Sequence, residues 1–426
     1  MKKLLIILFC FFAASAGAQP SKEAVLQAIN EAARYGSTVL LDDEGKSRCD
    51  YNMTLGEWFP YEEPWHTGQL VLGLLEAYRI TGNKDYLDAA KRGGEWWLTM
   101  EIKDNPRLKG MVSATHGDAI GDDLIVFSTV SDGTAGIFAL SRVTGDKRFA
   151  QLAASAITWM FENMYYPEMG VCYDLADVNT GEVLTMLGLK SAREQSNTDT
   201  KSLTGSPFHP DKVDQSLFDV SRPNTEGSPF KDAYEYTGEE RFRDAHILLC
   251  DALLKYQDES GLWMDFMPNN KTEGSFHPRS NIWYAESLLE CYELTKDRKY
   301  LEAAAKCARA YAKVQRNDGT IFYENYINGR PSDKGSVCGS ATAFAGMLWM
   351  RLAGYGYNEF VKNYERSAQW LLINRFAADH PDPNLRGAIL NTRMRTQQGR
   401  IWLTQRDVGT SFGLRFLSMY YDLKFK

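Results

Sequence analysis

Two acidic residues each stand immediately before a glycine at the start of a predicted helix. Asp132 lies in Val130-Ser-Asp-Gly-Thr134, and Glu226 lies in Asn224-Thr-Glu-Gly-Ser-Pro-Phe230. Two carboxyl groups that face one sugar are the minimum for ordinary glycoside hydrolysis, because one protonates the leaving oxygen while the other acts as base, nucleophile or charge stabiliser. An acid in a first helical turn also serves as a simple cap or dipole partner, so the chemistry depends on whether the helices bring the two acids together.

Other polar and aromatic residues precede or open predicted helices. Arg279 could hold a carboxylate through two parallel hydrogen bonds, and Trp65 or Trp283 could form a wall on which a sugar ring stacks. For Trp283 a role in the core is an equal alternative. His66 and His277 could bind substrate hydroxyls, although a single histidine is more often structural.

The distribution of charge adds one further candidate. A net charge of −7 argues against nucleic acid and against an anionic membrane surface as partners. Within this acidic chain, the stretch from Pro383 to Arg406 contains no Asp or Glu but five arginines. This local reversal could recognise a carboxylate, with a solvated basic stretch as the alternative, and we take Arg406 as a candidate for substrate binding.

A fourfold repeat indicates which elements position these residues. Its copies are Ala77–Ala90, Leu140–Ala153, Ala233–His246 and Cys291–Ala304. In three copies a helix ends at Thr-Gly, because glycine readily takes the left-handed conformation that closes a helix. Asn83, Asp146 and Glu239 then offer an acceptor or a negative charge to the next helix. Each copy therefore predicts a tight helical hairpin.

Apolar periodicity extends the hairpins to six. The predicted inner helices are roughly 65–79, 132–142, 226–236, 280–294, 339–352 and 408–421. The predicted outer helices are roughly 22–36, 84–100, 146–164, 239–257, 297–314 and 360–374. We therefore expect an all-α fold, an (α/α)6 barrel or six-hairpin toroid, in one domain over residues 19–426. Parallel inner helices would place Asp132, Glu226 and Arg279 at one end of the barrel, where helix dipoles favour an anion.

The longest departure from the repeat predicts a lid. Residues 171–185 alternate around Asn-Thr-Gly like a β-hairpin, and residues 191–210 are rich in Ser, Thr and Asn. A loop this long in a compact domain is usually functional. We expect residues 171–222 to form a lid or one wall of a cleft, with a disordered insertion as the alternative.

The N-terminus predicts export. Met1-Lys2-Lys3, an apolar run from Leu4 to Ala14, and Ala16-Gly17-Ala18 have the pattern of a signal peptide over residues 1–18. The apolar run is too short to span a bilayer, and no later segment predicts a membrane span. Cys10 lies between two phenylalanines, which disfavours a lipid anchor. We expect a soluble exported protein.

No cofactor or metal is predicted. The six cysteines outside the signal peptide form no Cys-x-x-Cys motif, and Cys250, Cys291 and Cys307 lie in helical patterns as small buried residues. The sequence has no phosphate-binding glycine motif and no serine nucleophile elbow. Disulfide pairing and oligomeric state are left open by the sequence.

Three segments resemble a known group of enzymes. Trp65–Gly82, Arg279–Trp283 and Ser340–Phe344 are similar to the unsaturated glucuronyl and unsaturated rhamnogalacturonyl hydrolases. The exo-acting β-glucuronidases of gut bacteria share the same general plan. This resemblance implies a periplasmic enzyme that trims a terminal uronic acid from an oligosaccharide.

The resemblance also implies roles for the two acids. In the unsaturated-uronyl hydrolases, aspartates open the second and third inner helices. Asp132 matches the first of these positions, whereas the second is occupied by Glu226. We therefore expect Glu226 to be the general acid/base and Asp132 to be its partner.

The exchange at position 226 makes a saturated uronide the leading substrate. We expect an exo-acting, β-glucuronidase-like glycoside hydrolase that removes terminal glucuronic acid or a related uronic acid. The first alternative is an unsaturated uronyl hydrolase that acts on the products of a polysaccharide lyase. Further alternatives are a uronate lyase or sugar epimerase, with His66 and His277 as proton carriers, and a non-catalytic glycan-binding protein.

Overall fold

The computed structural model describes most of the chain. The described residues are 19–117, 121–184, 221–222, 227–266, 268–330, 332, 336–397 and 400–426. The predicted signal peptide, Glu226 and residues 185–220 of the predicted lid lie outside this described part.

Twelve α-helices in the described residues alternate between an outer and an inner position. The outer helices are α1 (Lys22–Tyr35), α3 (Lys84–Thr99), α5 (Lys147–Asn163), α7 (Glu240–Tyr256), α9 (Arg298–Val314) and α11 (Val361–Ile373). The inner helices are α2 (Glu63–Thr81), α4 (Phe127–Thr144), α6 (Pro229–Thr237), α8 (Ser280–Thr295), α10 (Gly339–Gly354) and α12 (Val408–Phe425). The predicted (α/α)6 toroid is confirmed, and the helix bounds mostly lie within a few residues of the prediction.

Burial separates the two sets of helices. Inner helices such as α10 are buried on every face, as expected for a helix surrounded by protein, and residues 339–350 of α10 are all buried. Outer helices such as α9 bury one apolar stripe and expose a charged face. The first and last inner helices, α2 and α12, contact each other and close the ring.

The repeated phrase forms the turns from inner to outer helices. Gly82, Gly145 and Gly238 have φ near +70°, at +71°, +76° and +74°, and Lys296 takes the same left-handed conformation at +60° in the fourth copy. The N–H of each turn residue donates to a carbonyl four residues earlier, for example Gly82 to Tyr78 at 2.7 Å. These turns gather at the end where the inner helices finish, so the longer connections lie at the end where they begin.

Glycines bring α2 and α4 into backbone contact near their starts. A Cβ on Gly133 would lie only 2.6 Å from the carbonyl oxygen of Pro64, and a Cβ on Gly68 or Gly136 would collide with the facing backbone. Trp97 of α3 donates from Nε1 to the same Pro64 carbonyl at 2.9 Å. This contact places Asp132, next to Gly133, beside the first turn of α2.

The strands all lie in connections that lead from an outer helix to the next inner helix. They are β1 (Asp50–Asn52), β2 (Glu57–Phe59), β3 (Thr115–Gly117), β4 (Gly121–Val126), β5 (Tyr165–Tyr166), β6 (Val171–Tyr173), β7 (Leu175–Asp177), β8 (Ser221–Arg222), β9 (Ser275–Phe276), β10 (Asn325–Tyr326), β11 (Thr392–Gln397) and β12 (Arg400–Arg406). They form small sheets in the orders β11-β12-β1-β2, β3-β4-β7, β5-β6-β8 and β10-β9. The mouth of the barrel, where the inner helices begin, is therefore framed by short sheets.

Short helical turns complete the connections. They are a π-helical turn at Gly36–Leu40 and 3-10 turns at Pro106–Leu108, Asn358–Phe360 and Pro383–Leu385.

The described part of the predicted insertion has the expected hairpin. Asp177 donates its N–H to the Glu182 carbonyl at 2.8 Å, and Gly181 has φ of +71° at the end of the Asn-Thr-Gly turn. Leu184 donates back to Leu175 at 2.9 Å. The hairpin therefore confirms the alternating pattern, while a lid function stays a prediction.

The six cysteines from Cys49 to Cys338 are buried and form no disulfide, and burial was predicted for Cys250, Cys291 and Cys307. Among the described residues, no helix has the length and apolar character needed to cross a membrane.

Candidate active site

Asp132 lies fully buried at the mouth, within the second turn of α4. The helix begins at Phe127 and its N-cap is Val126. Asp132 lies six residues after the N-cap, so it does not cap the helix, which was the alternative role considered from the sequence. Its carbonyl accepts a hydrogen bond of 2.6 Å from Gln69 Nε2. This contact fixes the backbone of Asp132 against α2.

The chain that follows Glu226 passes directly beside Asp132. A Cβ on Gly227 would lie 3.6 Å from Asp132 Oδ1 and 2.9 Å from the Ser131 carbonyl oxygen. Gly227 itself has φ of +86°, a conformation that L side chains rarely adopt. Glu226 lies outside the described residues, and its predicted role remains a prediction.

Arg279 and Trp65 form one contact at the mouth. The guanidinium carbon of Arg279 lies 5.5 Å from the Trp65 ring centroid, within the range of a cation–π interaction. Arg279 NH1 donates to Ser340 Oγ at 2.9 Å, and Ser340 is in turn held by Asn391. The structure therefore brings the predicted arginine and the predicted tryptophan together, with both side chains buried.

Trp283 lies one turn after Arg279 on α8 and is 1% exposed. Its ring packs edge-on against Phe344 at 4.5 Å and against Phe412 at 5.7 Å between centroids. These contacts give Trp283 the core role that the sequence left as an alternative. Its Nε1, however, has no hydrogen-bond partner among the described residues.

His66 is held by a carboxylate that the sequence did not single out. Its Nδ1 lies 2.5 Å from Asp407 Oδ1, and Ser47 Oγ donates to Asp407 Oδ2 at 2.6 Å. Burial by itself would lower the pKa of His66, but the charge and hydrogen bond of Asp407 raise it above the ordinary histidine value. Asp50 and Glu62 add to this increase.

Arg406 makes a buried ion pair across two strands. Asp50 of β1 is directly opposite Arg406 of β12, and the guanidinium Nε lies 2.9 Å from Asp50 Oδ2. Arg406 NH1 also donates to Tyr323 Oη at 2.9 Å, and its guanidinium lies 5.2 Å from the Tyr61 ring centroid. These contacts join three connections at the mouth, while substrate binding by Arg406 stays a prediction.

His277 supports the start of α8. Its Nδ1 accepts hydrogen bonds of 3.2 Å from the N–H groups of both Arg279 and Ser280, which leaves the ring proton on Nε2. Tyr311 donates to the His277 carbonyl at 3.1 Å. These contacts give His277 a structural role that orients Arg279.

Two groups of buried side chains have donor types that suit a metal. Asp50, His66 and Asp407 have ligand atoms within 4.8 Å of one another, as do His246, Cys250 and Cys291. In the first group, Arg406 already neutralises Asp50 and His66 pairs with Asp407. This group is therefore balanced by protein charges.

Comparison with known proteins gives matches at the level of structure. No protein-family model matches the sequence, and no curated protein matches it. An unsaturated glucuronyl hydrolase specific for heparin aligns with a TM-score of 0.64 at 13% identity, over 95% of this chain and 98% of that one. An unsaturated glucuronyl hydrolase responsible for the degradation of glycosaminoglycan, from Bacillus sp. GL1, aligns with a TM-score of 0.63 at 13% identity, over 92% and 96%.

A D-mannose isomerase aligns equally well, with a TM-score of 0.63 at 13% identity, over 96% of this chain and 100% of that chain. Hydrolases and an isomerase thus share this architecture. At these identities the matches establish the (α/α)6 toroid, and the choice of reaction depends on the site.

Proposed function

We propose that this protein is a glycoside hydrolase that removes a terminal uronic acid from an oligosaccharide, and that the unsaturated uronic acid left by a polysaccharide lyase is its substrate. The observation that carries the proposal is Asp132, a fully buried carboxyl group at a mouth that also contains the cation of Arg279 and the indole of Trp65. The unsaturated glucuronyl hydrolases that align over the whole toroid support the same substrate class.

Each group has a chemical task in this proposal. One carboxyl group of the pair Asp132 and Glu226 donates a proton to the substrate, and the other accepts a proton from the attacking water. For the unsaturated sugar, hydration of the double bond starts the reaction. Arg279 supplies positive charge for the uronate carboxylate, and Trp65 supplies an apolar ring face. Export to the periplasm, as residues 1–18 predict, would suit the breakdown of imported oligosaccharides.

A saturated β-glucuronide is the second candidate substrate. It is favoured by the glutamate at position 226, where the resembling unsaturated-uronyl hydrolases have aspartate. The longer side chain would place the carboxyl group about one methylene further from the backbone, a change that suits a different position of the proton acceptor or donor on the sugar.

Turnover of matched substrates tests the proposal. A lyase-generated unsaturated disaccharide and an aryl β-glucuronide should be assayed side by side, with release of the reducing sugar or the phenol as the signal. Turnover of the disaccharide supports the proposal, and turnover of the aryl glucuronide alone supports the second candidate. Conversion of a free sugar to its isomer, with neither uronide hydrolysed, would show that the hydrolase proposal is wrong.

Two variants test the roles of the acids. Asp132→Asn and Glu226→Gln should each lower kcat by roughly 10²- to 10⁴-fold with an unchanged circular dichroism spectrum. Glu239→Gln is the matched control, because Glu239 is an exposed acid in the third hairpin turn and lies at the opposite end of the barrel. Near-normal turnover by a folded Glu226→Gln variant would remove Glu226 from the mechanism.

A further inference from the structure

Three buried ring nitrogens at or near the mouth lack a hydrogen-bond partner among the described residues. They are Nε1 of Trp65, Nε2 of His66 and Nε1 of Trp283. The three side chains are at most 5% exposed. A buried polar atom without a partner costs free energy, so a ligand that supplies an acceptor to these nitrogens would be stabilised.

The Trp65 ring contacts both His66 and the guanidinium of Arg279. Trp65 and His66 are neighbours in the first turn of α2, and their rings meet edge to face at 4.4 Å between centroids. Arg279 lies over the Trp65 ring, and Trp283 follows Arg279 by one helical turn. Both indole nitrogens are donors only, so the group that completes this region must accept hydrogen bonds.

The state of His66 follows from the groups around it. Asp407 holds Nδ1, and Ser47 holds the other oxygen of Asp407, so the imidazole has a fixed orientation. The negative charges of Asp407, Asp50 and Glu62 raise the pKa of His66 against the effect of burial. Tyr61 packs against the ring at 4.8 Å. The nearby guanidinium of Arg406 is bound to Asp50.

When His66 is protonated, the state that its raised pKa favours, Nε2 becomes a third donor. With Nδ1–H directed to Asp407, Nε2–H has no acceptor among the described residues. A uronate carboxylate has two oxygens, accepts only and carries the opposite charge. A hydroxymethyl group, its counterpart in a neutral sugar, is uncharged and also donates.

We infer that His66 is the residue that selects the carboxylate of the substrate, with Nε2–H donating to a carboxylate oxygen, and that Asp407 and Ser47 are its positioning residues. The inference rests on the proposed function and adds to it. It gives the site a second positive group in addition to Arg279. This group is His66 of α2, and Asp407, the residue immediately before α12, orients it.

Binding measurements with two ligands that differ only in the charged carboxyl group test the inference. The ligands are a lyase-generated unsaturated glucuronyl disaccharide and the same disaccharide with its carboxyl group reduced to an alcohol, and saturated glucuronide and glucoside form a second pair. Asp132→Asn provides a background without turnover for calorimetric titration. In this background, His66→Gln should weaken binding of the acid by roughly 10- to 100-fold and binding of the alcohol by less than about 3-fold. Equal losses for both ligands, or no loss, would overturn the inference.

The pH dependence gives a second readout that needs no change at His66. Affinity for the acid should fall as the pH rises through the pKa of His66, whereas affinity for the alcohol should stay constant. Asp407→Asn removes the negative charge that favours protonation of His66. In this variant the affinity for the acid should therefore begin to fall at a lower pH than in the parent protein. A flat profile for the acid between about pH 5 and pH 9 would contradict a charged His66 as the selecting group.

The outcomes separate this inference from the proposed function. If the wild type hydrolyses neither uronide but binds the acid in preference to the alcohol, and His66→Gln abolishes that preference, the hydrolase proposal is refuted and the role of His66 is supported. If the wild type hydrolyses a uronide and His66→Gln binds the acid as well as the parent does, the hydrolase proposal is supported and the role of His66 is refuted. A background protein that prefers neither acid over its alcohol would refute both.

Discussion

The buried charges at the mouth occur as pairs. Asp407 is held by His66, and Asp50 by Arg406, so each carboxylate has an opposite charge and at least one hydrogen bond. Taking a charge out of water costs roughly several kcal/mol per ion, unless a well-placed partner of opposite charge offsets that cost. Pairing therefore allows these four ionisable side chains to be buried at the mouth.

The His66–Asp407 pair predicts a particular pH dependence of stability. Because the pKa of His66 is raised in the folded protein, its contribution is fully present below the unfolded histidine value of about 6.5 and is lost as the pH rises through the folded value. Urea unfolding of the wild type and of His66→Gln should thus show the largest difference in free energy at acidic pH, with the gap narrowing as the pH rises. A gap that widens with pH would contradict a stabilising ion pair.

The sequence could identify some of these residues for a physical reason. Asp132 and Arg279 lie near helix starts that the repeat predicts, so their place at the mouth follows from local pattern. Asp407 pairs with His66 across 341 positions of the chain, and no local pattern reports such a contact. Arg406 was chosen from a basic stretch, and its partner Asp50 depends on the register of β1 and β12.

At the level of elements, the threonine of the repeat has a function of its own. In all four hairpins its hydroxyl donates to the carbonyl four residues earlier and accepts from the N–H two residues later. In the first hairpin, Thr81 donates to Ala77 at 2.7 Å and accepts from Asn83 at 3.2 Å. One side chain thus satisfies a group on each side of the turn, which explains why threonine recurs even where Lys296 replaces glycine.

The hairpin turns differ in how the outer helix is capped, so substitution of the cap residue should lower the free energy of unfolding by different amounts. Asn83 accepts from the N–H of Asp85 at 3.0 Å, whereas Glu239 makes no side-chain cap and instead binds Arg241 at 2.7 Å. We expect Asn83→Ala to lower the free energy of unfolding by about 1 kcal/mol. Glu239→Ala, the matched control at the same position of another copy, should change it by less than about 0.5 kcal/mol. Equal effects in denaturant titrations would argue against a capping role for Asn83.

The same elements show where local pattern is insufficient. Helix bounds were predicted closely because caps and turns are local. The start of α4 was predicted at Asp132 but lies at Phe127, because the intervening Ser, Thr and Val are modest helix formers that the surrounding protein holds in a helix. Apart from the hairpin in the insertion, the strands were not predicted, since most of them are short and some pair with distant segments, as β1 does with β12.

Across the whole molecule, a chain of polar contacts runs from the mouth to the opposite end of the barrel. Gln69, which binds the Asp132 carbonyl, accepts from Arg415 at 3.0 Å, and Arg415 lies 3.5 Å from Glu286. Arg351 links Glu286 to Glu290, and Glu290 binds Lys231 of α6 at 2.8 Å. A cavity of about 410 Å³ lies among these side chains. The inner helices are thus linked by ion pairs between side chains as well as by apolar packing.

Arg351 is the centre of this network, because it contacts two partly buried carboxylates. Its NH2 lies 2.7 Å from Glu290 and its NH1 lies 3.9 Å from Glu286. Burial raises the pKa of Glu290, but Arg351 and Lys231 outweigh it and lower the pKa to about 2. We expect Arg351→Met to cost about 2–3 kcal/mol of unfolding free energy, because Lys231 and Arg415 alone then offset the charges of Glu290 and Glu286.

The pH dependence of that loss separates charge from packing. A carboxyl group with a lowered pKa stabilises the fold above its unfolded value of about 4.5, and this contribution is lost as the pH falls through the folded value. The cost of Arg351→Met should therefore be greatest near neutral pH and shrink in acid, where protonation of Glu290 removes the negative charge that Arg351 offsets. Arg309→Met is the matched control, because its pair with Glu359 is about half exposed, at 51% and 47%, and should contribute less than about 1 kcal/mol. A cost for Arg351→Met that is independent of pH would mean that the arginine acts by filling space, and that apolar packing alone holds the ring closed.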